Sequence, residues 1–429
     1  MKKLAIHGGN KVRNKLFPAY RVIGEEEETA VTRVLRSGIL SKYLGCWADD
    51  FYGGPEVLAM EREWADYYGV KHAISVNSAT SALYCAVGAI GIAPRDEVIV
   101  SPYTMCASAT APLIYNAVPV FADIEYEYYC LDPDDIERKI TDKTKAIIVV
   151  DILGQPYDYK RIHEIAQKYN LYIIEDNAQA PLAAYNGRYA GTLGDIGIFS
   201  LNYHKHIHCG EGGVLVTNDD ELAERLRLIR NHAEAVVEKK GVANLNNMIG
   251  FNMRMTELEA AIAREQLKKL KRLVEERRAN VKYLEDNLQD IPFLRMPKIR
   301  EGCLHSYYIH AMKYDEKQTG ISREKFIAAM QAELMPIELR ESEGVKIGKG
   351  YVQPLYDLPI FKQKRAYGDT AYPFSPEIDY SGRNCPVCEK VCHSETIFHE
   401  LMRPFMTKAD LDDVLAAFHK VAENLDELR

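Results

Sequence analysis

Lys205 is a candidate to bond covalently to a carbonyl. It lies in Ser200-Leu201-Asn202-Tyr203-His204-Lys205-His206-Ile207-His208-Cys209-Gly210-Glu211-Gly212-Gly213, among three histidines and just before a glycine-rich turn. Lysines in low-dielectric, cationic settings become nucleophiles for carbonyls. A lysine whose stem snorkels along apolar ground to the surface has the same sequence context. Three more loops hold useful polar groups. Asn77-Ser78-Ala79-Thr80-Ser81 follows an apolar strand and opens an apolar helix. Hydroxyls and unspent N–H groups there make either an anion site or a plain N-cap. Asp176-Asn177-Ala178-Gln179 follows the strand YIIE. A carboxylate ending a buried strand costs desolvation energy unless it meets a cation, and a helix cap is the simpler role. Asn252, in Gly250-Phe251-Asn252-Met253-Arg254, opens a long helix, where asparagine ordinarily caps.

Two patterns suggest metal chemistry instead. His204, His206 and His208 alternate, so on an extended strand they would share one face and ligate a metal. No matching carboxylate cluster follows them. Cys385-Pro386-Val387-Cys388 is trailed by Cys392 and His393, four and five residues beyond Cys388. That is the wrong spacing for the usual zinc sites and reads as structural thiols.

The surrounding elements are those that place loops at strand ends. Glu25 to Ser37 and Pro55 to Tyr68 read as helices. The strands HAISV, EVIVS, PVFADI, KAIIVV and YIIED then alternate with TSALYCAVGAIGI, CASATAPLIYNA and a helix near Tyr159 to Tyr169. IGIFSL and GGVLVTN follow with no long helix between them. Short β-branched strands, apolar on both faces and separated by helices, predict a mainly parallel sheet covered on both sides. Ligands in such sheets bind beyond the carboxyl ends of the strands. Met255 to Leu288 is a long charged helical pattern ended by Pro292, its KKLKR and EERR runs forming a solvated face. A YYIHAMKYD strand, a loop-rich stretch from Glu341 to Pro373 and a closing helix from Lys408 to Glu427 complete the chain. These elements predict a large three-layer α/β/α domain over residues 1–270 and a smaller C-terminal α+β domain over 271–429.

Composition narrows the functional classes. At 429 residues, 47% hydrophobic and 27% charged, the chain is neither disordered nor collagen-like. Lys+Arg 54 against Asp+Glu 62 gives a net charge of −8, without a basic stripe, so neither nucleic acid nor a membrane is the expected partner. No apolar run reaches the roughly 18–20 residues of a membrane span. The opening MKKLAIHGG has only a three-residue apolar patch and does not read as a secretory signal. Nine scattered cysteines suit reduced thiols and a cytoplasmic location.

Taken in order and at these separations, the four loops resemble the pyridoxal-phosphate-dependent sugar aminotransferases of the DegT/DnrJ/StrS family. The resemblance begins with LAIHGGNKVRNKLFP. It continues through RDEV, PVFADI, TKAIIVVDILGQP, EDNAQA, GTLGDIGIFSLNYHKHIHCGEGG, IGFNMRMTELEAAI and CPVCEKVCHSETIFHELMRP. It implies an α/β fold of the aspartate-aminotransferase type (PLP fold type I), a homodimer with shared active sites, and pyridoxal 5'-phosphate as cofactor. Carried over by motif, Lys205 forms the Schiff base, five residues after Ser200 and five before Gly210. Asp176 pairs with the ring nitrogen, and Gln179 holds the ring hydroxyl. Ala79, Thr80 and Ser200 bind the phosphate, with Asn252 reaching over from the other subunit. Met105 stands where members commonly stack an aromatic on the ring; a thioether also packs on a π face. Ala79 replaces the glycine of a common SGT, and Tyr356 in QPLYDLP replaces a common histidine.

The resemblance implies transfer of an amino group from glutamate, with glutamine as second choice, to a keto-sugar, a nucleotide-linked keto-sugar or a keto-cyclitol. A dehydratase branch of the superfamily carries histidine in place of the lysine. Counting from Ser200 and from Gly210 puts Lys205, not His204, at the reactive position. Tyr43, Tyr52, His232, His305, Tyr308 and Tyr356 are candidate acceptor contacts, and Gly38 to Pro55 is a candidate substrate loop. The competing readings are a metal-dependent hydrolase using the alternating histidines and a catalytically silent cofactor-binding regulator.

Overall fold

Seven short strands build the central sheet of the computed structural model, which describes residues 3–380 and 384–429. They are β1 (His72–Val76), β2 (Glu97–Val100), β3 (Val118–Phe121), β4 (Thr144–Val150), β5 (Tyr172–Asp176), β6 (Ile196–Ser200) and β7 (Gly213–Thr217). Their order is β1-β7-β6-β5-β4-β2-β3. β7 runs antiparallel to both its neighbours, while the other pairs are parallel. The reason is in the chain between β6 and β7. A parallel neighbour needs a crossover, usually helical, and only turns join these two strands.

Alternation along the strands separates the two faces. Leu215 and Ile198 join a core with α3 (Ala79–Ala89) and α4 (Ala107–Ile114). Val214, Val216 and Phe199 join another core with Trp64 and Leu270. The central sheet is thus covered on both sides, as its doubly apolar strands predict. α1 (Glu25–Ser37) and α2 (Pro55–Tyr68) occupy the spans their patterns predict, and α5 (Tyr159–Tyr169) does likewise. α6 (Asp220–Arg230) follows β7 and packs on α3.

The long helix α7 (Glu257–Asp286) starts at Thr256, which shares a capping box with Glu259. Ala260, Leu267 and Leu270 on its first half face the core with Trp64. Val281 and Leu284 on its second half face a separate core with Phe326 and Phe418. Leu4 and Phe17 also pack in that second core. The N-terminal segment, assigned from sequence to the large domain, therefore crosses to the smaller one. It is held there by the bond from the Phe17 N–H to the Pro336 carbonyl (2.9 Å).

The smaller sheet pairs β8 (Leu294–Arg295), β9 (His310–Tyr314), β10 (Ile347–Gly348) and β11 (Thr396–His399) in the order β8-β9-β11-β10, antiparallel throughout. α8 (Arg323–Glu333) and α9 (Lys408–Glu423) supply its helical layer. α9 is shorter than the Lys408 to Glu427 pattern, because a 3-10 turn, Leu425–Leu428, takes over its end. Among the described residues, no helix is long and apolar enough to cross a membrane.

Candidate functional site

The carboxyl ends of β1, β2, β5 and β6 deliver four loops to one cavity of about 810 Å³, closed on its far side by β10, β11 and the segment before β9. Ser78 caps α3, its Oγ accepting the Ser81 N–H at 3.0 Å. The cap leaves the N–H groups of Ala79 and Thr80 unspent at the positive end of the helix, on the cavity wall. Gly213 lies directly beneath: a Cβ there would come within 2.6 Å of the Ser78 carbonyl carbon and 2.7 Å of the Ala79 nitrogen. Ser200, at the end of β6, lines the same cavity. These groups form an anion cradle.

Asp176 ends β5 and is buried. Its carboxylate accepts the Ser108 O–H at 2.9 Å and the Ala178 N–H at 3.1 Å. Burial pushes its carboxyl up from the ordinary range; those two bonds and the nearby Lys205 pull it back only in part. The site therefore holds a buried acid with neutral hydrogen-bond partners, suited to a cation placed in the cavity. Gln179 is oriented unambiguously. Its Oε1 accepts the Leu153 N–H at 2.9 Å, so its amide nitrogen faces the other way and donates to the Tyr351 hydroxyl at 2.9 Å. The Thr104 hydroxyl, also on the wall, is buried without a partner.

Lys205 is half-buried, and its Nζ lies 4.4 Å from the centre of the Tyr308 ring. The chain from 201 to 212 is a set of turns, not a strand, so the alternating histidines separate. His204 reaches the cavity with its ring against Tyr203, and burial brings its imidazole down to about 4. His206 is fully buried and bonds the Ser306 carbonyl at 3.1 Å. The His208 backbone N–H donates to Gln266. The shared face of the strand reading is absent. Among the described residues, no group of three or more His, Cys, Asp or Glu side chains is placed to hold a metal ion. Cys388 and Cys392 bring their sulfurs to 3.9 Å in the core, and all nine cysteines are free.

Seven of the expected residues thus meet: Ala79, Thr80, Met105, Asp176, Gln179, Ser200 and Lys205 all line the cavity, with Met105 58% exposed. Tyr308 joins them. Asn252 does not; it is exposed, and its side-chain oxygen accepts from Arg254. Tyr52 and His232 also lie off the cavity, Tyr52 bonded to Glu224 and Lys240. His305 and Tyr356, candidate acceptor contacts, are also off the cavity lining and lie in packing contacts. His305 is buried against the Tyr307 ring and accepts the Tyr307 N–H at 2.8 Å. Tyr356 meets Phe121 edge-on in the large core. Tyr43 is likewise buried in the core with Trp64. The loop from Gly38 to Pro55 is tied down away from the cavity, where Asn231 donates to the Leu44 and Phe51 carbonyls.

Sequence reasoning missed the opposite wall. Arg340 bonds Glu343 at 2.6 Å and Glu400 at 2.9 Å, with Lys346 and Arg403 closing the network. Arg340 holds the Glu343 carboxyl down at about 2. Ser108 and Tyr351 were missed too. Their partners lie 68 and 172 positions away along the chain, beyond any local pattern.

Comparison with known proteins converges on one group. The model of the DegT/DnrJ/EryC1/StrS aminotransferase family matches residues 22–418. The chain is 31% identical over 421 residues to the spore coat polysaccharide biosynthesis protein SpsC of Bacillus subtilis, covering 96% of this chain and 99% of that protein. It is 31% identical over 436 residues to the L-glutamine:2-deoxy-scyllo-inosose aminotransferase of Streptomyces kanamyceticus, covering 98% and 97%. The X-ray structure of the aminotransferase from Psychrobacter cryohalolentis superposes with a TM-score of 0.81 at 28% identity, covering 96% of this chain and all of that one.

Proposed function

The chain belongs to the DegT/DnrJ/EryC1/StrS aminotransferase family, and on that footing we propose how its residues carry amino transfer to a keto-sugar or keto-cyclitol. The fold is of the aspartate-aminotransferase type, and the cofactor is pyridoxal 5'-phosphate. When bound, the cofactor supplies an aldehyde carbon that carries the amino group and a ring that takes up an electron pair from the substrate carbon.

The observation that carries the reading is the meeting of an unspent helix N-terminus, a buried carboxyl and a lysine in one cavity. Ala79, Thr80 and Ser200 would hold the phosphate, through N–H donors at the positive end of α3 and the Ser200 hydroxyl. Asp176 would keep a proton on the ring nitrogen. That role explains why an acid ends a buried strand among neutral partners. Gln179 donates to the ring hydroxyl with the amide edge that Leu153 has turned toward the cavity. Lys205 would hold the cofactor covalently through its amine and, once free, would move the proton at the substrate carbon as general acid and base. Met105, on the cavity wall, would offer its thioether to the ring face.

Glutamate is the donor, with glutamine as second choice. The Streptomyces relative's name specifies glutamine and a scyllo-inosose ketone, and the Bacillus relative's name a polysaccharide pathway. The acceptor is therefore a ketone on a sugar, a nucleotide-linked sugar or a cyclitol. The enzyme works as a cytoplasmic homodimer in which Asn252 of the partner subunit completes the phosphate site. Exposed Leu44 and Ile249, on segments that both adjoin His232, supply apolar surface for that contact.

The test is spectroscopic. Purified protein with pyridoxal phosphate should absorb in the visible, and glutamate should discharge the band. A panel of keto-sugars and keto-cyclitols added to the aminated enzyme should restore it for one class. Activity that is lost to chelators and needs no chromophore would point to the metal hydrolase instead. A band that forms but is discharged by no donor would point to the silent regulator.

A further inference from the structure

Tyr351 lies on the chain just beyond β10, 172 positions from the residue it touches. The turn that brings it there is built for the purpose. Gly350 has φ +73 and sits against the Phe398 ring, where a Cβ would come within 2.3 Å of ring carbons. Any side chain there would push the segment off the cavity. The Tyr351 ring then packs edge-on against Tyr103, with centroids 5.3 Å apart, and against Phe398 at 6.5 Å. Downstream, the bond from the Leu355 N–H to the Pro102 carbonyl at 2.9 Å ties the same segment to the loop after β2. The phenol is thus fixed from both sides.

Its hydroxyl accepts one N–H of Gln179, whose amide cannot flip because Leu153 holds its oxygen. Accepting that bond leaves the tyrosine's own proton free, and no acceptor for it occurs among the described residues. Gln179 likewise keeps one N–H unspent. Two unspent donors, joined to each other, line one cavity. Burial pushes the Tyr351 phenol up, so it stays a donor across the working pH range.

The geometry points to Tyr351 as a second donor to the cofactor's ring oxygen, paired with Gln179 and supplied from the segment after β10. The inference rests on the cofactor chemistry proposed above. Two donors stabilise the oxygen as an anion and so lower the basicity of the nitrogen through which Lys205 holds the cofactor. Removing one raises that basicity.

Tyr351→Phe tests this by removing one oxygen while keeping the ring against Tyr103 and Phe398. The first readout is the pH midpoint of the visible band. It should rise by about one unit, the size of one hydrogen bond to a charged group. The second is cofactor affinity, followed by fluorescence quenching. It should fall about tenfold for pyridoxal phosphate and not at all for the analogue lacking the ring hydroxyl. That second comparison removes any general loss of folding, since both ligands meet the same protein. An unchanged midpoint with the band intact overturns the assignment, as does an equal loss for both ligands. A wild-type protein that forms no visible band overturns the cofactor reading itself, a distinct result.

Discussion

Replacing Asp176 by asparagine should separate two effects of opposite sign. The carboxyl is buried and accepts only the Ser108 hydroxyl and the Ala178 N–H. Asparagine is nearly isosteric. Its oxygen can keep the Ala178 bond while the Ser108 hydroxyl turns to accept, so the fold survives. In protein without cofactor, burial raises the Asp176 carboxyl above its ordinary range. A carboxyl raised on folding contributes stability below its unfolded value and loses it as pH rises through the folded one. At neutral pH the cofactor-free variant should therefore unfold at the same temperature as wild type or higher.

With cofactor bound, the sign reverses. Removing one partner of a buried ion pair costs about 3 to 5 kcal/mol, or roughly two to three and a half orders of magnitude in rate. The assay is a single-turnover reaction of the loaded enzyme with glutamate, followed at the visible band, beside thermal unfolding with and without cofactor. The variant should react at least about a hundredfold more slowly, and cofactor should stabilise it less than wild type. A variant that is loaded yet reacts within about threefold of wild type would refute the pairing of Asp176 with a cationic ring.

Other consequences follow from single contacts. Gly213→Ala drives a Cβ into the Ser78 and Ala79 backbone, which cannot yield cheaply. Thermal unfolding should report a loss of about 1–3 kcal/mol, and cofactor titration at least a tenfold weaker site. His305 is buried with its imidazole brought down to about 3, so its share of stability is present above the unfolded value near 6.5 and is lost as pH falls below it. One such group removes about 2 kcal/mol between pH 6.5 and 5. His305→Asn, whose side-chain oxygen can take the Tyr307 N–H, should flatten the unfolding profile over that window. Ile249 is 72% exposed. If it lies in a dimer contact, sedimentation should find wild type dimeric and Ile249→Arg shifted toward monomer, with weaker cofactor binding as Asn252 of the partner subunit is withdrawn.

Much of this architecture is readable from the chain, because doubly apolar strands alternating with helices admit few arrangements. Those strands place Asp176, Ser200 and the Ser78 cap at their carboxyl ends, where the structure finds them. Other features follow from distant packing. The antiparallel setting of β7 depends on the turns over residues 201–212, whose alternating histidines mimic a strand. The His206 ring bonds the Ser306 carbonyl, His208 is bonded to Gln266 through its backbone, and His204 alone of the three reaches the cavity. His305 and Tyr356 show the converse ambiguity. A histidine or tyrosine in a loop-rich stretch has the same local pattern whether it faces a ligand or, as here, Tyr307 or Phe121. Tyr351 escaped notice because its position is set by Gly350 turning against Phe398, a contact between the segment after β10 and β11 that no spacing encodes.

The most direct measurement maps the bond itself. The coloured protein is reduced with borohydride, digested, and analysed for the peptide carrying the cofactor's mass. The account predicts that label on Lys205, and neither label nor visible band in Lys205→Ala. A label on another lysine, or normal turnover by Lys205→Ala, would contradict it.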